Sequence, residues 1–196
     1  IDKNRANANK LMGRFLYGLK KKSEYALISL TGGQKDNAIT RECTAEFLTD
    51  SVAEVKAYAK ELQEQVREEY TGSDENITFE ITEKDTATAE VLHPTSQEKI
   101  VFYLQNVPFG IQKMSGTIEG LVETSSNIGI LRLDEDELFA SSSVRSSVDA
   151  ACSALSDKIE YLTEFLGGDY EVQGAYPAWE YRKDSPLRDK MVAVFE

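Results

Sequence analysis

Arg145 is the charged residue whose setting in the sequence best fits a binding role. It stands in Val144-Arg145-Ser146, and Ser146-Ser-Val-Asp149 is predicted to open a helix. A cation beside a helix N-terminus is favourable only when an anion shares the site, because the dipole is positive there and backbone N–H groups are unpaired. Guanidinium and N–H donors together would bind a carboxylate. The alternative is a surface arginine in an ordinary ion pair with Asp149 or Glu137.

Two asparagines stand at positions where the chain is predicted to change direction. Asn37 follows Gly32-Gly33 and Asp36, a composition typical of a turn. Asn127 precedes Ile128-Gly129 inside a long predicted strand, where an asparagine before a glycine usually marks a bulge or turn. Gly129 would also permit close packing of another backbone segment. From the residues alone, both asparagines are therefore structural candidates first.

The sequence lacks the residues for a histidine-based metal site or a catalytic triad. It contains one histidine, His93, and two cysteines, Cys43 and Cys152, which are far apart. A zinc site needs three or four clustered N, S or O ligands, commonly histidines or thiolates. Both cysteines fall at apolar positions of predicted elements and are interpreted as small buried side chains. His93 precedes Pro94 and is predicted to be an exposed loop residue. The sequence predicts no metal site in this chain.

Composition predicts an ordinary globular domain. The 196 residues are 41% hydrophobic and carry a net charge of −12, which argues against nucleic acid or an anionic membrane as a partner. No apolar run is long enough to span a bilayer, and no signal-peptide pattern is present. We therefore expect a cytoplasmic location.

Helices and strands are predicted to recur in two similar halves, 1–92 and 95–176. The first half contains a helix over about Asn7–Leu19, strands at Tyr25–Leu30 and Thr40–Leu48, a helix opened by Ser51, and a hairpin of Ile77–Ile81 with Thr86–Leu92. The second contains a short helix capped by Thr95, strands at Gly120–Leu133 and Leu138–Val144, a helix opened by Ser146, and a strand at Tyr170–Ala175.

This order predicts an α+β fold, in which helices pack on one face of a mostly antiparallel sheet. The two halves are candidates for tandem ferredoxin-like units, although any α+β chain can be divided in a similar way. An open face or edge of the sheet would be available for pairing with another subunit.

Five segments together resemble one protein family. They are Ala6-Asn-Ala-Asn-Lys-Leu11, Asn37-Ala-Ile-Thr-Arg-Glu42, Leu104-Gln-Asn-Val-Pro-Phe-Gly110, Val122-Glu-Thr-Ser-Ser-Asn-Ile-Gly129 and Gly174-Ala-Tyr-Pro-Ala-Trp179. They are similar to segments of the two-zinc aminoacyl-histidine dipeptidases, also called cytosol non-specific dipeptidases. The resemblance covers nearly the whole chain but only the middle of such an enzyme. It implies a lid or dimerisation domain over 1–184, and a helix over 185–196 that returns to a catalytic domain outside this chain.

The resemblance also implies roles for the three candidate residues. The arginine matching Arg145 binds the free C-terminal carboxylate of the substrate, and the asparagine matching Asn37 reaches the partner's active site and donates to the oxyanion. Asn127 is a candidate for substrate binding because the family has a similar Asn-x-Gly strand. Thr40 stands where the family has proline, which predicts a less rigid loop.

For the parent protein, the resemblance implies a homodimeric zinc enzyme that hydrolyses dipeptides such as Xaa-His. The zinc ligands lie outside this chain, so the isolated chain is expected to be inactive. The alternative is a non-catalytic dimeric module of ferredoxin-like fold that binds an amino acid or peptide.

Overall fold

The chain forms a helical layer over one continuous sheet. A computed structural model describes residues 1–84, 89–134, 137–178 and 184–195. Within these ranges the helices are α1 (Ala8–Lys20), α2 (Val52–Glu69), α3 (Pro94–Asn106), α4 (Asp149–Phe165) and α5 (Pro186–Phe195). The strands are β1 (Ala26–Gly32), β2 (Cys43–Leu48), β3 (Gly110–Met114), β4 (Val122–Leu133) and β5 (Leu138–Ser146).

Every strand pairing in the sheet is antiparallel, and β4 is its centre. One edge of β4 pairs with β5 along nearly its whole length, from Thr124↔Ser146 to Leu133↔Leu138. The other edge pairs with β1 only over Leu131–Leu133 and with β3 only over Val122–Ser126. β2 continues the sheet beyond β1. The predicted α+β class with an antiparallel sheet is confirmed, and both predicted halves contribute strands to this sheet.

Apolar stripes at helical spacing bury the helices against the sheet. In α1, Leu11, Phe15, Leu16 and Leu19 are buried, as the predicted stripe requires. α2 buries Val55, Tyr58, Ala59, Leu62 and Val66. These side chains join Leu27, Leu30, Leu104, Ile128 and Leu131 in one hydrophobic core. Because the core lies between helices and sheet, the opposite face of the sheet is left for other contacts.

Close approach of α1 to α3 fixes the middle of the helical layer. Gly13 provides the space, since a Cβ there would lie 2.6 Å from the Leu104 Cβ. The Lys10 ammonium donates to the carbonyls that end α3, at 3.2 Å from Gln105 O and 2.9 Å from Val107 O, and also to Leu104 O. A cation suits this end of the helix dipole.

Several predicted strands are absent and one was missed. Residues 77–81 and 170–175 belong to no strand, and residues 86–88 of the predicted hairpin lie outside the described residues. Although Ile77, Phe79 and Ile81 do pack on the core, the Phe79 N–H donates to Gln63 Oε1 instead of to a neighbouring strand. β3 was not predicted, because four of its five residues are exposed and give no clear apolar alternation.

Helix starts also differ from the predicted capping boxes. Ser51 makes no side-chain cap, and α4 begins at Asp149 with Val148 at its N-cap. At α3 the cap is His93, whose Nδ1 accepts from the Thr95 N–H at 3.2 Å. His93 is exposed, as predicted. The helix predicted to start at Pro186 is present as α5 and buries none of its residues.

Within the described ranges, no helix is both long and apolar enough to cross a membrane.

Replacing Gly13 with alanine is expected to lower the free energy of unfolding by roughly 1–3 kcal/mol, because the added methyl overlaps Leu104. The better helix propensity of alanine offsets up to about 1 kcal/mol of this loss. Urea denaturation measures the change. Gly116→Ala is the matched control, since a Cβ there meets nothing within 4 Å; equal stability of the two variants would contradict the packing argument.

Cys43 is expected to react slowly with iodoacetamide at pH 8 in the folded chain. Burial raises the pKa of its thiol from 9.0 to about 12, which leaves about a thousandfold less of the reactive thiolate than in the unfolded chain. Mass spectrometry of the Cys152→Ser variant, with and without urea, follows the modification of Cys43 alone. If the modification rates of Cys43 in the folded and the urea-unfolded chain lie within about tenfold of each other, this thiol is not protected by folding.

Candidate functional site

Asn37 lies in an exposed turn that connects β1 to β2. The turn is closed by a hydrogen bond from the Ala38 N–H to Lys35 O at 3.4 Å, and the Asn37 N–H donates to Asp36 Oδ1 at 2.7 Å. The predicted turn is therefore confirmed. The Asn37 side chain is exposed and has no hydrogen-bond partner among the described residues, which leaves its amide free to meet another molecule.

The turn lies over a gap beside β4. Between the positions paired with β3 and those paired with β1, residues 127–130 of β4 pair with none of the described strands on that edge. Side chains occupy the gap instead. Asn7 Nδ2 donates to Ile128 O at 2.9 Å, and the Thr40 hydroxyl lies 2.9 Å from Gly129 O. Buried backbone carbonyls that a strand would have paired are thereby satisfied.

Asn127 connects the turn to this gap. Its side-chain Nδ2 donates to Ala38 O at 2.8 Å and to Asp36 O at 3.2 Å, while its Oδ1 accepts from Asn7 Nδ2 at 3.1 Å. The residue is 5% exposed. Asn127 therefore faces the turn and is covered by it.

Two glycines allow the turn to approach β4 so closely. A Cβ at Gly129 would lie 2.3 Å from Asp36 O and 2.5 Å from Lys35 O. Gly33 has φ of +74°, and a Cβ there would lie 1.8 Å from Gly129 O. Only glycine adopts this backbone conformation without strain and leaves the space open. The close packing expected at Gly129 is present.

Thr40 fastens the far end of the same loop. It is 3% exposed, its backbone carbonyl accepts from the Ala8 N–H at 2.9 Å, and its hydroxyl also accepts from Asn9 Nδ2 at 3.2 Å. Where a proline would restrict the backbone, threonine restrains it through hydrogen bonds on both sides. The substitution thus replaces one kind of restraint with another.

Arg145 lies within β5, not beside a helix end as its sequence predicted. α4 starts only at Asp149, because the Ser146 hydroxyl accepts from the Val148 N–H at 3.1 Å and the chain turns there. Arg145 is exposed, and neither Asp149 nor Glu137 pairs with it among the ion pairs of the described residues. The expectation of a helix-terminal site is therefore wrong, whereas an unpaired guanidinium is present.

The strand register places Arg145 and the Asn37 turn on the same face of the sheet. Arg145 is paired with Ser125, and Asn127 with Ser143. Paired residues share a face, and so do residues two apart on one strand. Arg145 and Asn127 are therefore neighbours on the face opposite the helices, about 7 Å apart along the strands. Asn127 therefore lies between the two other candidates: it is next to Arg145 on this face, and its amide is bonded to the backbone of the turn that bears Asn37.

A shallow depression of about 500 Å³ contains Arg145. Its lining includes Ser125, Ser146, Ser147 and Glu123, and the Glu123 carboxylate is paired with the Lys113 ammonium at 2.7 Å. Asp2 also lines the depression, but neither Asp2 nor Glu123 forms an ion pair with Arg145, so among the described residues the guanidinium is available to an outside anion. Its planar fork suits a carboxylate, to which it can donate two parallel hydrogen bonds.

The described residues of the site could bind an anionic ligand but could not hold a metal ion. Within the described residues, no group of three or more His, Cys, Asp or Glu side chains could hold one. The arrangement provides an exposed cation, an exposed amide and a rigid frame beneath them. Such a site can orient an anionic ligand but contains no evident nucleophile of its own.

Comparison with known proteins relates the chain to peptidases. The family model described as peptidase dimerisation domain matches residues 2–74 of the chain. Over 183 residues the chain is 28% identical to the cytosol non-specific dipeptidase of Escherichia coli K12, covering 92% of this chain and 38% of that protein.

A solved structure shows the same fold. The crystal structure of aminoacylhistidine dipeptidase from Vibrio alginolyticus matches with a TM-score of 0.90 and 28% identity, covering 98% of this chain and 40% of that one. The resemblance inferred from the sequence segments is thus confirmed. The chain spans about two fifths of the length of either relative.

Sequence reasoning gave no role to Asn7 and Asn9. Both are fully buried, and both lie in the Ala6-Asn-Ala-Asn-Lys-Leu11 segment that carried part of the resemblance. Asn7 caps α1, since its Oδ1 accepts from the N–H groups of Asn9 and Lys10. The sequence did contain a signal, because two asparagines stand at the start of a helix and an N-cap requires only one. The second asparagine indicates a further buried hydrogen bond.

Replacing Thr40 with valine is expected to lower the free energy of unfolding by about 1–3 kcal/mol, because it leaves the buried Gly129 carbonyl without its donor and removes one of the two acceptors of the Asn9 amide. Chemical denaturation measures the loss. Thr44→Val is the control, since Thr44 is an exposed residue of β2 and valine suits a strand. Equal effects of the two substitutions would contradict the role given to the Thr40 hydroxyl.

Proposed function

We propose that this chain is the lid and dimerisation domain of a cytoplasmic, zinc-dependent dipeptidase that hydrolyses dipeptides such as Xaa-His. The observation that carries the proposal is the exposed Arg145 guanidinium, which has no ion-pair partner among the described residues and lies on the same sheet face as Asn127, the residue that holds the turn bearing Asn37. Similarity to two dipeptidases over most of the chain supports it.

In this proposal Arg145 binds the free C-terminal carboxylate of the substrate. A dipeptide differs from a longer peptide in having that carboxylate one residue beyond the scissile bond. A fixed guanidinium therefore both orients the dipeptide and excludes longer chains. The depression around Arg145 is open to solvent on the face that the helices leave uncovered, so a ligand can reach it.

Asn37 is proposed to act across a dimer, donating from its amide to the oxyanion that develops in the partner's active site. The exposed turn and the absence of any partner for its side chain within the described residues support this role. For the dimer itself, the open edge of β5 is the supporting feature, because among the described strands β5 pairs with β4 alone. An open edge can add a strand from a second copy.

The described residues do not fit a zinc site. Because the described residues contain no ligand cluster, the zinc that the resemblance implies would be bound by residues of the parent protein outside this chain. The isolated chain is accordingly proposed to be inactive. Its contribution is to bind the substrate carboxylate, to present an amide to the partner, and to close over the substrate.

Arg145→Ala in the full-length parent, assayed with added zinc, is expected to lower kcat/KM for an Xaa-His dipeptide by roughly 10- to 100-fold, the loss typical of a hydrogen-bonded charge pair. The wild type is expected to cleave the free acid and not its C-terminal amide, because the amide offers no carboxylate to the guanidinium. Steady-state kinetics on both substrates provide the measurement.

Arg132→Ala is the matched control, since Arg132 is an exposed arginine of the neighbouring strand that is paired with Asp134 at 3.0 Å. It should leave both rates unchanged. Cleavage of both acid and amide, unaffected by Arg145→Ala, would return Arg145 to a surface role. If the wild type cleaves neither, the dipeptidase proposal fails and the non-catalytic binding module replaces it.

A further inference from the structure

We infer that Asn127 is a positioning residue, whose buried amide holds the turn bearing Asn37 against the sheet, and not a ligand of the substrate. This inference rests on the proposed function for the role of Asn37, but the hydrogen bonds that support it belong to this chain. It separates the residues proposed to touch a substrate, Arg145 and Asn37, from one that fixes the position of Asn37.

The side chain of Asn127 is already fully engaged. Both hydrogens of Nδ2 have acceptors in the turn, Asp36 O and Ala38 O, and Oδ1 accepts from Asn7. The residue is 5% exposed. A substrate could reach it only by displacing the turn that covers it and by leaving buried polar atoms unpaired, which is costly.

The turn depends on Asn127 for its attachment. Among the described residues, the two bonds from Asn127 are the only hydrogen bonds that join 35–39 to the rest of the chain. The other bonds of the turn are internal, from Ala38 to Lys35 and from Asn37 to Asp36. Without the Asn127 amide, residues 35–39 themselves would rest on β4 only by their packing over Gly129, and the nearest remaining attachment of the loop would be Thr40.

Asn127 is in turn held by the start of α1. Asn7 donates to Asn127 Oδ1 and to Ile128 O, and accepts from two N–H groups of the helix. This arrangement fixes which end of the Asn127 carboxamide faces the turn. The Nδ2 end must point at the carbonyls of Asp36 and Ala38, so the orientation of the turn follows from the helix cap.

The experiment uses the full-length parent protein with Asn127→Asp, which keeps an acceptor for Asn7 and places a carboxylate oxygen against the two turn carbonyls. Ser126→Ala is the matched control, because Ser126 is the adjacent buried residue and its hydroxyl has no hydrogen-bond partner. Hydrogen exchange of the peptide spanning 33–42 reports the turn independently of activity. Steady-state kinetics on a dipeptide report kcat and KM, each also measured in the Asn37→Ala background.

Asn127→Asp is expected to speed exchange in 33–42 and to lower kcat by about 10- to 100-fold, with KM little changed, as a misplaced catalytic contact would. In the Asn37→Ala background it should lower kcat no further, because its effect passes through Asn37. A merely structural role would reduce activity equally in both backgrounds. Ser126→Ala should change none of these quantities.

Two results would overturn the inference. One is that hydrogen exchange of 33–42 is the same in Asn127→Asp as in the wild type. The other is that Asn127→Asp lowers kcat by the same factor in the Asn37→Ala background as in the wild type. If Asn127→Asp does not fold, Gly129→Ala displaces the same turn while leaving the Asn127 side chain intact, since its Cβ would lie 2.3 Å from Asp36 O. The same loss of kcat, absent in the Asn37→Ala background, is then expected. A parent that cleaves no dipeptide would defeat the proposed function, while the exchange measurement would still judge the attachment of the turn.

Discussion

The central strand β4 lacks a neighbouring strand for part of one edge, and the site depends on how that gap is filled. Carbonyls of Ile128 and Gly129 would be left unpaired there, at about 1–3 kcal/mol each. Carboxamides from the start of α1 and the hydroxyl of Thr40 pair with them instead. Because these side chains come from a helix and a loop, the gap fixes helix, loop and sheet in one arrangement. If a strand had paired with this edge of β4 along its whole length, the loop between β1 and β2 would not have been bonded to it.

Strand alternation then determines what the uncovered face presents. Side chains of β4 and β5 that point to the helices complete the core, as Ile128 does, while Asn127 and Arg145 point away from it. A cation and an amide-bearing turn thus share one rigid surface without disturbing the core. Within the described residues this surface presents a cation but no cluster of side chains that could hold a metal ion.

The spacing of apolar residues predicted individual helices and strands correctly. It failed where the hydrogen-bond partner of a segment is distant in the sequence. α1 and α2 follow from apolar spacing alone. Residues 77–81 show the alternation of a strand, yet the Phe79 N–H finds Gln63 on a helix, and no local rule excludes that. The guanidinium of Arg145 indicated anion binding. The predicted position of Arg145 beside a helix N-terminus was wrong, because the chain turns at the Ser146 hydroxyl and α4 starts only after that turn. Asn7 and Asn127 are 120 positions apart, so their pairing had no local signal.

The pairing of Arg145 with Ser125 also constrains how such a gene can change in length. A shift of one position in the pairing of Arg145 with β4 would turn the guanidinium toward the helices, because such a shift exchanges the two faces of a strand. The connection from Leu133 to Leu138 lies beyond the paired segment that carries Arg145, and its length can vary without that exchange. The position of the guanidinium therefore depends on the spacing within the strand as much as on the identity of the arginine.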